Sequence, residues 1–359
     1  MGRWLHIYDR INDCDRWRVD VRTITTDGAA RLATWMGDTL GITGVQVGTY
    51  LTGGNANITH IIESDAGRFI LRHSPATTVS AKAGAGIKRE YQLLEALNGD
   101  APAPRAVGFC EDQDIIGAPF SLTTFVDGVS ITEALPLSYA RNVETINTIG
   151  EELIDAIAAV HALDWERRLP ENFGRPENFL RRQIERWLKV REDETVRDIP
   201  LLRSIGKWLF DNIPSESAVG IIHCDYHLDN TLFDRAQPKI KAIIDWEMAT
   251  VGDPMIDVGL LLMFWRRDEA DQLGFRFVQR ISNRPDIVEP RRLADRWSRR
   301  TGYSSENLDY YRVFSFWRLA AIVEGAYALQ VRGQVDSAYA RGLEQDVPNL
   351  LRAAAAVIG

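Results

Sequence analysis

Residues 220–259, GIIHCDYHLDNTLFDRAQPKIKAIIDWEMATVGDPMIDVG, constrain this chain more than any other stretch. They hold all but the first residue of a β-rich island, over 219–246, in a region that otherwise reads as helix. Apolar Val219–Ile222 delivers His223 and Asp225 at a strand end. Thr231–Phe233 and Ile240–Ile244 read as short strands around the turn Asp234–Lys239, which contains Pro238. Such a hairpin returns the chain, so that Asp225 and Asn230 on the way in and Asp245 on the way out are expected at one rim. Two carboxylates and an amide there make a hard-oxygen site suited to Mg²⁺, which keeps waters and phosphate oxygens among its ligands. Phosphoryl transfer needs that arrangement: metal ions neutralise phosphate charge, and a further carboxylate orients the attacking hydroxyl and accepts its proton.

The rest of the chain divides around this island. Residues 1–26 are polar with no clear period. Asp27 reads as an N-cap, with Leu32, Trp35, Met36, Thr39 and Leu40 following at helical spacing to Gly41. Val45 and Val47 alternate as a strand into the glycine turn LTGGNANITH; Ile58–Glu63 and Arg68–Arg72 read as the next two strands. Residues 74–87 read as a loose loop and about 87–98 as a helix. Its apolar face holds Leu93, Leu94 and Leu97 together with Glu90, a carboxylate that is costly there unless paired. A strand over Phe120–Val126 ends at Asp127–Gly128. Helices are expected at 141–163, 177–190, 199–211, 255–265, 305–330 and 336–357. The reading is an α+β chain of two lobes, 1–126 (an N-terminal extension and a β-rich lobe) and 127–359 (mainly helical).

Composition excludes several classes. With 359 residues, 45% hydrophobic and 26% charged, the chain buries a core large enough to need no staple. Its 3 cysteines are too few and scattered for a disulfide framework or a CxxC zinc site, and they suit a reducing cytoplasm. The longest apolar run, Gly259–Trp265, is far short of a membrane span, and no signal peptide is expected. A net charge of −8 without a basic stripe disfavours nucleic acid as a partner. Oligomeric state is not readable.

HCDYHLDNTLFD followed by IIDWEMATVGDPMIDVG resembles the aminoglycoside phosphotransferase family of small-molecule kinases, and is most similar to the branch fused to some acyl-CoA dehydrogenases. The resemblance runs over roughly residues 27–350 and implies a two-lobed, protein-kinase-like fold. It implies Asp225 as catalytic base with His223 supporting its loop, and Asn230 and Asp245 as metal ligands with Glu247 a further carboxylate of that site. Gly53, Gly54, Asn55 and Asn57 match the family's phosphate-covering turn; Arg72 stands where kinases place a Lys on the nucleotide phosphates, with Glu90 as its partner. Thr123, Thr124 and Phe125 correspond to the hinge that meets the base. The implied reaction moves the γ-phosphoryl of ATP or GTP, with Mg²⁺, to a hydroxyl of a small acceptor, either an aminoglycoside-like antibiotic or a hydroxylated metabolite.

Two residues depart from the pattern: Arg72 for Lys, not a neutral exchange for a point charge, and Cys224 for the Gly of HGD. They keep open a non-catalytic nucleotide-binding or regulatory protein on the same fold. A metal-dependent hydrolase built on His223, Asp225 and Asp245 is a second alternative, and a protein kinase a weaker third, since DFG and APE elements are missing. Asp253, Asp257 and His161 read as structural, His227 as a loop residue, and Cys224 as an inert thiol. The late aromatics, among them Tyr310, Phe314 and Trp317, read as core.

Overall fold

Thr25 opens the first helix, α1 (Thr26–Leu40): its hydroxyl accepts the Gly28 N–H at 3.1 Å. The cap is thus Thr25, and Asp27 lies inside the first turn, where its charge favours the helix dipole. The helix ends at Gly41, left-handed with φ 69°. The computed structural model describes residues 24–51, 57–74, 81–131, 134–194, 196–215, 218–267 and 278–359.

Two compact units divide the described chain. One takes in residues up to Gly99, Ala103–Asp127 and Asp245–Glu247; the other takes in Asp100–Pro102, Gly128–Ile244 and Met248–Gly359.

The first unit is built on an antiparallel sheet of β1 (Gln46–Leu51), β2 (Ile58–Ser64), β3 (Gly67–His73), β4 (Ala106–Cys110) and β5 (Phe120–Thr124), in the order β1-β2-β3-β5-β4. Alternation along β2 and β3 turns Ile62, Phe69 and Leu71 onto Leu32 and Met36 of α1. Each such side chain, fully buried, contributes roughly 1.5–3 kcal/mol. The opposite parity leaves Arg72 on the other face. Strand β4 escapes a sequence reading because Gly108 interrupts it. A Cβ there would sit 3.1 Å from Trp35 and 3.2 Å from Leu40, so glycine lets α1 approach without displacing those side chains. Helix α2 (Ala81–Leu97) begins six residues before the expected 87. The stretch expected as a loop contributes its first turns, its alanines favouring helix while Gly84 and Gly86 hide the signal. Strand β5 stops at Thr124, short of Val126.

The second unit carries the helices α3 (Val143–His161), α4 (Phe179–Asp193), α5 (Pro200–Asp211), α6 (Met255–Met263), α7 (Pro290–Thr301), α8 (Leu308–Val331) and α9 (Ala338–Ile358). Helix α7 was not expected: of its 12 residues only Leu293, Ala294 and Trp297 are buried, so charge obscures the period, and Pro290 at its start is the surviving signal. Helix α8 is buried along most of its length, with Tyr310, Tyr311, Phe314, Phe316 and Trp317 inside. The late aromatics are therefore core. The expected hairpin forms: β7 (Thr231–Phe233) pairs antiparallel with β8 (Ile240–Ile243). A second ribbon pairs β6 (Gly220–Ile222) with β9 (Thr250–Gly252), delivering His223 at its end. Glycine at 252 leaves room for its neighbours: a Cβ would meet the Ile222 Cδ1 at 2.7 Å and the Phe179 ring at 3.2 Å, so those side chains would have to shift. Among the described residues no helix is long and apolar enough to cross a membrane.

Candidate active site

In the second unit the chain leaving β6 turns sharply at Cys224, whose φ is 66°. That is the left-handed region, where a residue with a Cβ is strained. The turn is held from below by Asp257, at the start of α6. Its Oδ2 accepts the His223 N–H at 2.6 Å and its Oδ1 the Cys224 N–H at 2.8 Å. From α8, Arg318 Nη1 donates to the Cys224 carbonyl at 3.2 Å. Both carbonyl and amide of the strained peptide are thus tied down, and Asp225 follows with its carboxylate buried. Burial pushes the Cys224 thiol up to about 12, with Arg318 opposing and Asp257 adding, so it stays an unreactive thiol.

His223 Nε2 lies 2.9 Å from the Ile244 carbonyl and must donate to it; its Nδ1 then accepts the Asp225 N–H at 3.3 Å. Both ring nitrogens are committed to backbone, which makes His223 a brace for the loop. Asn230, in the single 3-10 turn Leu228–Asn230, directs Nδ2 at the Asp225 carbonyl (2.8 Å) and at Asp225 Oδ2 (3.0 Å). Two acceptors on that side fix which end of the amide is nitrogen. Its Oδ1 is consequently turned away, buried and without a hydrogen-bond partner. His227, read as a loop residue, lies in a bend and is buried in this cluster, 3.7 Å from Asp225 Oδ1 and 3.3 Å from Asn230 Nδ2. Sequence offers no signal for it, nor for Arg318. The Ile244 N–H donates to the Asn230 carbonyl at 2.9 Å, anchoring the hairpin one residue before Asp245.

The first unit gathers the remaining charges. Arg72 Nη1 meets Glu90 Oε1 at 2.5 Å, the pairing expected for a carboxylate on the inner face of α2. Arg72 Nη2 is also 4.0 Å from Asp245 and 3.5 Å from Glu247. Asp245 itself is left-handed, with φ 67°. Three carboxylates thus surround one guanidinium. Burial raises Glu90 to about 7 against the pull of Arg72, and Asp245 and Glu247 push it further. Burial works against the Arg72 charge, but Glu90, Asp245 and Glu247 more than offset it, so Arg72 stays cationic. Glu90 Oε2 is buried without a hydrogen-bond partner.

The carboxylates of the first unit suit a hard divalent cation. Asp245 and Glu247 approach the one Arg72 guanidinium that Glu90 already holds, and carboxylate oxygen is what Mg²⁺ takes. Among the described residues no three His, Cys, Asp or Glu side chains form a ready-made cage.

The other expected nucleotide residues are placed less fully. Gly53, Gly54 and Asn55 lie outside the described residues; Asn57 is a half-buried bend before β2. Thr123 is buried within β5. The Thr124 N–H donates to the Arg105 carbonyl at 2.9 Å and the Phe125 N–H to the Arg68 carbonyl at 3.1 Å. Both amides bond within the sheet. The Arg68 guanidinium covers the Phe125 ring at 4.0 Å.

A model of the phosphotransferase enzyme family matches residues 48–294. Among curated proteins, acyl-CoA dehydrogenase family member 10 of Mus musculus is 28% identical over 319 residues, 82% of this chain and 28% of that protein. Acyl-CoA dehydrogenase family member 11 of Homo sapiens is 26% identical over 290 residues, 79% of this chain and 36% of that protein. The chain thus spans about a third of the length of these relatives. A solved structure of a candidate aminoglycoside phosphotransferase from Ralstonia eutropha JMP134 is 28% identical, with a TM-score of 0.77, covering 91% of this chain and 98% of that one. Macrolide 2'-phosphotransferase type I shares the fold at 18% identity and a TM-score of 0.58, covering 90% and 98% of the two chains. The GDP and kanamycin complex of APH(2")-IIIa shares it at 16% and 0.59, again covering 90% and 98%. The architecture is that of these enzymes, a two-lobed, protein-kinase-like α+β fold.

Proposed function

Because the chain belongs to the phosphotransferase enzyme family, we propose that it is a small-molecule kinase that moves the γ-phosphoryl group of ATP or GTP onto an acceptor hydroxyl. The observation that carries this reading is the divided commitment of Asn230: its nitrogen fixes the Asp225 carboxylate while its buried oxygen is left for a ligand. A buried side-chain oxygen with no protein donor is a place for an ion or a water.

Asp225 accepts the proton of the acceptor hydroxyl as it attacks, in the role of general base. Asn230 and Asp245 would hold Mg²⁺, with Glu247 beside Asp245; when bound, that ion neutralises charge on the phosphate oxygens. Arg72, kept cationic and oriented by Glu90, grips the phosphates through the part of its fork that Glu90 leaves available. His223 and Asp257 act on the backbone, presenting Asp225 without touching substrate. Positioning and preorganised charge supply most of the acceleration. GDP in one neighbour and kanamycin in the same complex support a nucleotide donor and a small hydroxylated acceptor, an aminoglycoside or another metabolite.

Asp225→Asn tests the assignment. It keeps the shape of the side chain and removes the base, so Mg²⁺-dependent phosphoryl transfer should fall by about two orders of magnitude or more, with Mg²⁺-nucleotide affinity close to that of the unaltered chain. Full transfer by the variant would refute Asp225 as base. Intact nucleotide binding with no transfer by either protein would favour a regulatory nucleotide-binding role.

A further inference from the structure

Behind the Asp225 loop lies a chain of buried hydrogen bonds that ends on Asp257 and begins with two residues to which the phosphoryl-transfer roles assign nothing. Trp297 Nε1, on α7, lies 2.9 Å from His161 Nδ1 at the end of α3. His161 Nε2 lies 3.1 Å from Asp257 Oδ2. Asp257 in turn accepts the amides of His223 and Cys224. Trp297, His161 and Asp257 are all fully buried, at 0% exposure.

The direction of every bond is determined. An indole N–H only donates, so His161 Nδ1 must be bare and accept. The ring's proton therefore sits on Nε2 and points at Asp257. Had the ring the other tautomer, it would face the indole donor with a second donor and Asp257 with a lone pair. Trp297 thus selects the one form of His161 that donates to the carboxylate.

We propose that His161, set by Trp297, is a positioning residue for phosphoryl transfer: it fixes the rotation of the Asp257 carboxylate. Asp257 needs both oxygens aimed at two consecutive amides, one of them belonging to the left-handed Cys224. A carboxylate free to turn about its last bond would give up one amide, and the strained peptide would relax toward ordinary backbone. The Asp225 side chain, one residue on, would move with it. This inference rests on Asp225 being the catalytic base, and its own content is the mechanical link from α7 through α3 and α6 to that base.

Three variants test it: His161→Leu removes the donor, His161→Gln restores an N–H at the Nε2 position, and Trp297→Phe removes the selector while filling most of the indole volume. Amide hydrogen exchange at His223 and Cys224 is read in each, alongside turnover and KM for Mg²⁺-ATP or Mg²⁺-GTP. In His161→Leu both amides should exchange faster and kcat should fall roughly tenfold to a hundredfold, the scale of loss when a reacting group is misplaced, with nucleotide KM unchanged. His161→Gln should recover most of both readings, and Trp297→Phe should lie between. Equal behaviour of the Leu and Gln variants, or a loss confined to KM, overturns the proposal. If His161→Leu does not fold, Trp297→Phe decides: unchanged exchange at the two amides rules the link out. Absence of turnover in the unaltered chain would count against the kinase reading, and the exchange rates would still judge the link.

Discussion

Cys224 occupies a conformation that suits glycine, and the consequences can be measured. Left-handed backbone costs a residue with a Cβ roughly 1–2 kcal/mol, and here the turn holds only because Asp257 and Arg318 bind its two ends. In most backbone positions alanine is more stabilising than glycine, since glycine loses more chain entropy. At this position the order should invert: Cys224→Gly should unfold at higher urea than Cys224→Ala, by about 1 kcal/mol. Alanine above glycine would show that the turn carries no such strain. The departure from Gly was visible in the sequence; that the site still demands positive φ was not, because nothing local to HCD reports backbone handedness. The pairing of Arg72 with Glu90 was legible, since a carboxylate on an apolar helix face announces a partner. The burial of His227 against Asp225 was not, because it depends on the turn that follows.

At the scale of elements, Asp253 joins the start of α6 to α8. Its Oδ1 accepts the Met255 N–H at 3.0 Å, and the Tyr311 hydroxyl on α8 donates to Oδ2. The cap position itself is Pro254, one residue after Asp253, and the tyrosine contact is set by packing that no local pattern records. Burial raises its pKa from the ordinary 3.8 to about 6, against those two hydrogen bonds and with a push from Asp257. The folded state therefore keeps a proton between about pH 4 and 6 that the unfolded chain has released, and stability falls as pH rises through that window. Asp253→Asn does not titrate. Its stability relative to the unaltered chain should increase from pH 4 to pH 7, by up to roughly 3 kcal/mol at 1.36 kcal/mol per unit. A difference that stays constant with pH would contradict the shift. The hairpin around Pro238 and most helices were readable from period and turn residues. The strand at Ala106–Cys110 and the helix at Pro290–Thr301 were not, one because glycine makes room for Trp35, the other because its outer face is almost entirely charged.

For the whole molecule, what a linear reading cannot supply is the grouping of Asp245–Glu247 with the β-rich unit, far from it in sequence. That grouping sets Asp245 and Glu247 beside Arg72 and makes the charge surplus that suits a cation. The family was legible because HxDxxxxN and IDWE at one spacing encode a chemistry; the acceptor was not, because the late aromatics read as core, are buried, and name no substrate. The central claim, a Mg²⁺-dependent nucleotide site anchored on Asp245, is tested most directly by thermal unfolding of the unaltered chain and of Asp245→Ala. Each is unfolded with ATP or with GTP, with and without Mg²⁺. A ligand at a hundredfold excess over its Kd stabilises the folded state by about 2.7 kcal/mol. The account predicts a Mg²⁺-dependent rise of that order with at least one nucleotide, absent in Asp245→Ala. No rise with either nucleotide in a folded sample, or an equal rise in the variant, would contradict it.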